Sequence, residues 1–524
     1  MPHAAPCAAA RLTAADKPVD VVATPRPRRQ AKRVEPQLAV LVEVRGRLLH
    51  AGDLRLDESG PAGGGHFQAT FTYHPDYLQQ GLAGAAYALD PINLPLRPES
   101  FVTSSRFERL GALFDAAPDA WGRTVMASDE GVAPVSLQES TVLLKGRGSG
   151  VGAVVFAPYC ADRVATMRAP SPPGGPAGAA SALSSLRPGN ATMPGVADID
   201  TLYETVRKVE TGVEVDERLR QMLMSSWDMG GARPKAVVVD TAGDEWIVKF
   251  PRSIDTYSRQ RVEWANLEMG RAIGMRVPHL RLHRLPDGEC ALLVRRFDRV
   301  SPEAFGAEHD DDGARHWRVH YLSAVSLVSP PADFDKRQLD TAYGASIFSY
   351  ARVADIVRAV SANVAHDLQE LFARMVLNVL VHNTDDHLKN TGFLMDPASR
   401  DFRYRLAPLF DVVTQEHTSK HLLHLGPGVG ETDGRPSGRL GVLDNVRAGA
   451  PHWGLRAQAV ERLISRVQAV VAHRHYYYLL AGMTRVEIAQ VERWLPPAAG
   501  APVSYRSPAA APGALPEAVP QGLE

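Results

Sequence analysis

Cysteine is nearly missing from this chain of 524 residues: the three thiols, Cys7, Cys160 and Cys290, lie far apart and form no CxxC pair. That scarcity excludes a disulfide scaffold and a cysteine-ligated zinc centre, and it fits a reducing compartment, so the expected location is cytoplasmic. Net charge is scarce as well. With 58 Lys and Arg against 59 Asp and Glu the formal charge is −1, and whole-chain electrostatics gives no argument for a direct nucleic-acid partner. Long apolar runs are missing too. No stretch of about eighteen apolar residues occurs, and the N-terminus carries no compact apolar segment followed by small residues, so neither a membrane partner nor secretion is expected. No repeat with a period of about 20–50 residues is evident, which excludes a solenoid or a propeller.

What is present is a globular mixture, 45% apolar and 22% charged. The chain is too long for one ordinary core. Residues 1–36 are rich in Ala, Pro and Arg without periodicity, and Pro25 to Arg33 (PRPRRQAKR) carries five cations in nine residues. This segment reads as a solvated, disordered basic tail, with contact to nucleic acid or an acidic surface as the alternative. Residues 166–197, dominated by Ala, Pro, Gly and Ser, read as a linker, and residues 496–524 as a second disordered tail. Two globular parts remain, 37–165 and 198–495.

In the first part, Leu38 to Val44 and His66 to Tyr73 have strand character, the second with Phe67, Ala69, Phe71 and Tyr73 on one face. In the second part, Ala236 to Asp240 and Glu245 to Phe250 predict a hairpin turning through Thr241-Ala242-Gly243-Asp244. The period then changes. From Ser258, a plausible N-cap, Val262, Ala265, Met269, Ala272 and Ile273 recur at helical spacing up to Gly274. A longer helix from about Asp367 places Leu368, Leu371, Phe372, Met375 and Val379 on one stripe.

Phosphoryl transfer asks little of a protein: a cradle and a cation for the phosphates, oxygen ligands for a metal, and an acceptor for the attacking hydroxyl's proton. Candidates for each occur in order. Gly230, Gly231 and Ala232, followed by Arg233 and Lys235, put small residues and two cations immediately before the hairpin; alone, two glycines there read as a turn. Lys249 stands in the apolar strand Trp246 to Phe250, on the face opposite Trp246, Val248 and Phe250. An edge-strand solubility charge is the bland reading. Glu263, early in the next helix, is placed to pair with Lys249 and aim it at a nucleotide, with Glu268 as a substitute. The strongest signal is His382 to Asn390 (HNTDDHLKN), which contains Asp-x-x-x-x-Asn, the spacing of a kinase catalytic loop, at Asp385 and Asn390. Asp411 comes next in Ala407 to Val413, where an acid would complete a magnesium site. Lone Asp and Asn residues in loops are usually turn formers or caps; five polar residues between apolar runs, with an acid downstream, are not accounted for that way.

These segments resemble the HipA family of serine/threonine kinases, toxins of bacterial toxin–antitoxin pairs. The likeness lies in GGARPK (Gly230 to Lys235), Lys249, RFDR (Arg296 to Arg299), TDDHLKN (Thr384 to Asn390), LAPLFDV (Leu406 to Val412) and, upstream, Pro118 to Arg123 (PDAWGR), and so spans most of residues 38–490. The resemblance implies an α/β (α+β) chain with a two-lobed protein kinase-like fold behind a small β-containing N-terminal domain, using ATP and Mg2+. It implies Asp385 as catalytic base, Asn390 and Asp411 as metal ligands, Lys249 on the phosphates, Gly230 to Lys235 as phosphate loop, and Leu293 to Phe297 as the hinge beside adenine, which adds Arg296 and Phe297 to the nucleotide site. His387 would brace the loop and Lys389 would approach the γ-phosphate. The partners implied are a protein substrate, such as glutamyl-tRNA synthetase or another translation factor, and a helix-turn-helix antitoxin through which DNA is met only indirectly.

Three departures stand against this pattern. Asp228 occupies the place where the family often has a serine that undergoes inhibitory autophosphorylation, with Ser225 and Ser226 slightly upstream; Arg295-Arg296 stands in the hinge where an acid is common; and the Ala/Pro/Gly linker is an insertion. Two rival readings compete. One is a metal-dependent hydrolase using His382, Asp385, Asp386 and His387, which leaves Lys249 and the glycines unexplained. The other is a catalytically weak kinase fold acting as corepressor through an antitoxin. A Walker-type NTPase is excluded by the absence of G-x-x-x-x-G-K-[ST].

Overall fold

The computed structural model describes residues 37–58, 68–146, 150–159, 193–224, 233–307, 315–416, 418, 420–427 and 438–495. Both expected tails, most of the expected linker, and Ser225, Ser226, Asp228, Gly230, Gly231 and Ala232 lie outside these residues.

The first sheet is antiparallel, with strands β1 (Gln37–Val44), β2 (Arg47–Asp57), β3 (Gln68–Tyr73), β4 (Phe101–Thr103) and β5 (Val154–Pro158) in the order β4-β3-β2-β1-β5. In β3 the predicted alternation holds, since Ala69, Phe71 and Tyr73 are buried and the residues between them are not. After β4 comes helix α1 (Ala120–Glu130), and after the undescribed stretch, α2 (Ile199–Glu210).

The second sheet holds β6 (Lys235–Val239), β7 (Glu245–Lys249), β8 (Leu280–Arg284) and β9 (Cys290–Arg295) in the order β6-β7-β9-β8. The β6–β7 turn forms because Asp240 accepts hydrogen bonds from the amides of Ala242 and Asp244, while Gly243 takes φ +83° without a Cβ penalty. Between β7 and β8 runs α3 (Arg259–Ile273), which stops where Gly274 adopts φ 98° and its amide caps the last carbonyls. Ser258 stands at the N-cap as predicted but makes no side-chain capping bond.

The remainder is mostly helical around a three-stranded sheet, β10 (Tyr321–Ser323), β11 (Gly392–Met395) and β12 (Tyr404–Leu406), with α4 (Tyr350–Val360), α5 (Val364–Leu380) and α6 (Ala457–Val471). The predicted stripe of α5 is buried, and so is every residue from Glu370 to Val379, which places that part of the helix at the centre of the lobe. Each fully buried Leu or Phe there contributes about 1.5–3 kcal/mol relative to exposure.

The first sheet does not hang from the rest by a hinge. One apolar core runs without a break from Leu38 in β1 through Phe372 in α5 to Leu495. Polar ties cross the same boundary: Asp115 accepts from the Ser323 amide at 2.8 Å, and Asn93 Nδ2 donates to the Ser326 carbonyl at 3.1 Å. A second core beneath β6–β9 draws Trp121, Val125 and Met126 from α1 and Ile199, Leu202 and Val206 from α2. Segments on both sides of the linker thus share both cores.

Candidate active site

Alternation along β7 sends Trp246 and Val248 into the second core and turns Lys249 to the opposite face, toward α3. There its ammonium meets two carboxylates, Glu263 Oε1 at 2.6 Å and Asp411 Oδ1 at 2.9 Å. Glu263 Oε1 also accepts the Asp411 backbone amide at 3.0 Å, which helps hold Asp411 at φ 58°, a conformation that costs a non-glycine residue free energy and is retained where surroundings enforce it. Glu268, the substitute considered for Glu263, pairs with Arg271 instead.

The electrostatics of this triad arise from the closeness of its three charges. Burial alone would lower the Lys249 pKa, but the Asp411 and Glu263 carboxylates outweigh it and hold the ammonium charged. For Asp411, burial pushes the carboxyl up, yet Lys249 and then Lys235 bring it well below the usual carboxylate range. Lys235 lies directly across the β6–β7 ladder from Lys249. Burial, and after it the neighbouring Lys249 charge, pushes the Lys235 amine down to about 8.

Helix α5 delivers the catalytic-loop candidate. The chain leaves the helix through His382 at φ 53°, and a buried chain of polar side chains fixes the loop beyond it. Asn383 Nδ2 donates to Asn378 Oδ1 at 3.0 Å, Asn378 Nδ2 to the Tyr350 hydroxyl at 2.8 Å, and that hydroxyl to Asp386 Oδ2 at 2.9 Å. The His421 ring nitrogen Nδ1 meets the same Oδ2 at 2.9 Å, while Asp386 Oδ1 accepts the Leu422 amide at 2.9 Å. Asp386 is therefore the buried clamp between the loop and the segment after Asp411, a role that sequence alone does not assign to it. Its one sequence signal is a second acid beside Asp385 in an otherwise apolar setting.

Asp385 points the other way and is exposed. Partial desolvation raises its carboxyl pKa, His387 opposes that, and Asp411 adds to it. Asn390 Nδ2 donates to the Asp385 backbone carbonyl at 2.9 Å, closing the Asp-x-x-x-x-Asn loop on itself. Asn390 and Asp411 line one cavity together with Phe410, Asn378 and Asp386. His387 precedes the single turn Leu388–Asn390, its carbonyl accepts the Asn390 amide at 2.8 Å, and its Nδ1 is buried with no hydrogen-bond partner.

Removing the Asp386 carboxylate would strand the Tyr350 hydroxyl, His421 Nδ1 and the Leu422 amide in a dry interior. Asp386→Ala is expected to destabilise the protein by on the order of 3 kcal/mol. Chemical denaturation checks this, and an unchanged midpoint would remove the clamp from the account.

Several expected contacts fall elsewhere. Arg296, expected at the nucleotide, is corrected: its guanidinium is wholly buried, donating to Asp298 Oδ2 at 2.7 Å and the Gly150 carbonyl at 2.9 Å, so its side chain braces the hinge against the N-terminal region. Arg295 is likewise engaged, by Asp244 at 2.7 Å. Phe297, in contrast, lies beside the site, its ring 5.8 Å from that of Phe410, the residue before Asp411. Arg233 is ion-paired with Asp255. Lys389, expected to approach a γ-phosphate, is ion-paired with Asp119 and lies 5.0 Å from the centre of the Phe107 ring.

The hydrolase arrangement does not assemble, because both Asp386 oxygens are consumed by the clamp. Among the described residues, the acid-and-histidine group spaced for a metal is His366, Asp367 and Glu370. Its carboxylates are engaged by Arg276, Arg374 and Arg405, whose guanidinium charges balance them in place of a metal ion.

An antiparallel sheet whose strand lysine is paired to a helix glutamate, above a helical lobe carrying an Asp-x-x-x-x-Asn loop and a downstream aspartate, defines a protein kinase-like fold of two lobes. Comparison with known proteins agrees. Residues 227–474 match the HipA-like C-terminal domain. A chain of the HipA, HipB and operator DNA complex of the Shewanella oneidensis MR-1 toxin–antitoxin system superposes with a TM-score of 0.57 at 16% identity, covering 87% of this chain and 94% of that one. The Sinorhizobium fredii protein Y4dM, provisionally named a kinase, is 30% identical over 190 residues, 34% of this chain; the match spans 39% of that relative's length. The proinflammatory kinase CtkA of Helicobacter pylori, at a TM-score of 0.27 and 13% identity over 49% of this chain and 95% of that one, is too loose a superposition to bear weight. Residues 227–474 thus carry a HipA-like C-terminal domain. Among the described residues no helix is long and apolar enough to cross a membrane.

Proposed function

We propose that this protein is an ATP- and magnesium-dependent serine/threonine protein kinase acting as the toxin of a toxin–antitoxin pair. The observation that carries the reading is the triad of Lys249, Glu263 and Asp411, closed at 2.6 and 2.9 Å and facing the Asp385–Asn390 loop. A strand lysine held charged by a helix glutamate is placed to neutralise phosphates. The Asn390 amide and the Asp411 carboxylate offer the oxygen ligands a hard divalent cation takes, and they share one cavity. Bound there, magnesium would neutralise the β- and γ-phosphate oxygens. Asp385, exposed and free to meet a protein hydroxyl, is the residue to orient that hydroxyl and accept its proton as the oxygen attacks the γ-phosphorus and ADP departs. Phe297 and Phe410 supply the apolar surface beside which an adenine stacks.

A helix-turn-helix antitoxin that brings DNA to the complex, and a translation factor such as glutamyl-tRNA synthetase as substrate, remain part of the proposal by analogy with the family. Incubation with γ-labelled ATP, magnesium and a cell lysate tests the whole: label on serine or threonine of a protein is expected, and nucleotide binding without transfer would favour the corepressor reading.

Lys235 adds a pH signature. Its amine, pushed down to about 8, must be charged to meet a triphosphate, so binding above that pH requires proton uptake. ATP affinity should be flat below pH 8 and fall by up to about tenfold per pH unit above it. Lys235→Arg should flatten the profile, because the guanidinium stays charged. Calorimetry in two buffers of different ionisation heat measures the uptake; affinity constant from pH 7 to 9.5 would remove Lys235 from the site.

A further inference from the structure

Helix α1 begins at Asp119, within the motif Pro118 to Arg123, and Asp119 does something unusual for its position. An aspartate at an N-cap ordinarily accepts an amide hydrogen of its own helix. Here it makes no such bond. Its carboxylate instead pairs with the ammonium of Lys389, 270 residues away, inside the Asp385–Asn390 loop. A favourable local interaction has been given up for a distant one, a pattern found where function overrides local rules.

The surroundings make this a built contact. The Lys389 ammonium also lies over the Phe107 ring at 5.0 Å. Two residues beyond Asp119, Trp121 is buried and its Nε1 donates to the Lys235 carbonyl at 3.0 Å, so the same motif grips the strand that comes after the phosphate-loop candidate. Arg123, one turn further on, is locked by Glu139 at 2.6 Å and by the Pro118 carbonyl at 3.2 Å. The helix start is therefore tied both to strand β6 and to the Asp385–Asn390 loop. Lys389 in turn is the neighbour of Asn390, whose amide holds the Asp385 carbonyl. A pull on Lys389 is transmitted within one residue to the proposed metal ligand and through a hydrogen bond to the proposed base.

We propose that Asp119 is a positioning residue for phosphoryl transfer: the N-terminal region, through the Asp119–Lys389 ion pair, sets the geometry of the catalytic loop, and catalysis depends on that region being docked. This rests on the kinase reading above, and the test separates the two. In the full chain, Asp119→Asn should lower kcat by about 10–100-fold, the usual effect of losing a partner that orients a functional group, while the Kd for ATP with magnesium stays unchanged. Asp119→Lys and Lys389→Asp should each do the same, and the double exchange, which restores an opposite-charge pair, should recover most of the loss.

Hydrogen–deuterium exchange gives a readout that needs no turnover. Amides of residues 384–391 should exchange faster in Asp119→Asn than in the parent, with α5 unchanged. If the parent protein transfers no phosphate but the exchange difference appears, the kinase reading fails and the coupling stands. Unaltered kcat in Asp119→Asn, a double exchange no better than the single variants, or unaltered exchange over residues 384–391 would each overturn the coupling.

Discussion

Asp385→Asn should lower phosphoryl transfer by about 10²–10⁴-fold, the range associated with removing a positioned general base. The substitution is sterically clean because the bond that closes the loop, from Asn390 Nδ2 at 2.9 Å, is accepted by the main-chain carbonyl of residue 385 and not by its carboxylate. Only proton acceptance and the charge are lost. ATP affinity should hold or rise slightly, since Asp385 and Asp411 repel one another and each loses an unfavourable neighbour when one becomes neutral. Single-turnover kinetics beside equilibrium nucleotide binding separates the two effects. Turnover retained within a factor of a few would sink the assignment.

The second large effect is expected at Asp411, which is both a proposed metal ligand and the second anchor of Lys249. Asp411→Ala should weaken magnesium-dependent ATP binding by about 1–2 kcal/mol, less than for a fully buried charge pair because the Asp411 side chain is 43% exposed and solvent screens part of the loss. Asp411→Asn is the companion variant, because asparagine tolerates the left-handed backbone at φ 58° that alanine resists. If both variants lose affinity equally, charge is responsible; if only alanine does, backbone strain is. Without magnesium, ATP should bind either variant at least as well as the parent, because a negative charge has been taken from the triphosphate's path. Calorimetric titration with and without the metal checks this, and unchanged magnesium–ATP affinity would mean that Asp411 is no ligand.

The β6–β7 hairpin and α3 were legible because their causes are local, whereas β8 and β9, which complete the sheet, were not read. A hairpin with Asp240 and Gly243 at its turn, an apolar period that changes from two to 3.6, and a glycine at the C-cap are written in neighbouring residues. The Lys249–Glu263 pair was legible for a related reason: strand alternation fixes the face of Lys249, and the partner comes only 14 residues later. Strand β2, eleven residues long, went unread because His50, Asp53 and Arg55 interrupt the strand signal that pairing with β1 and β3 supplies in the folded chain. The buried face of α5 was placed by its apolar stripe, but the helix starts at Val364 and not at about Asp367, with Asn363 accepting the His366 amide.

By itself the sequence determined which chemistry is carried: a strand lysine, an Asp-x-x-x-x-Asn loop and a later aspartate, with residue types that leave few other readings. What only the tertiary structure decided is which of the other charges serve that chemistry and which serve the frame. Arg296 and Lys389 look alike in sequence, as basic residues inside motifs, yet one is sealed against Asp298 and Gly150 and the other is held by Asp119. Asp385 and Asp386 are adjacent, yet one faces solvent and the other is enclosed by Tyr350, His421 and a backbone amide. Successive residues in a loop can point to opposite sides, and partners 35 to 270 positions away are chosen by packing. The free energy that settles those choices comes from burial and desolvation, which no local pattern records.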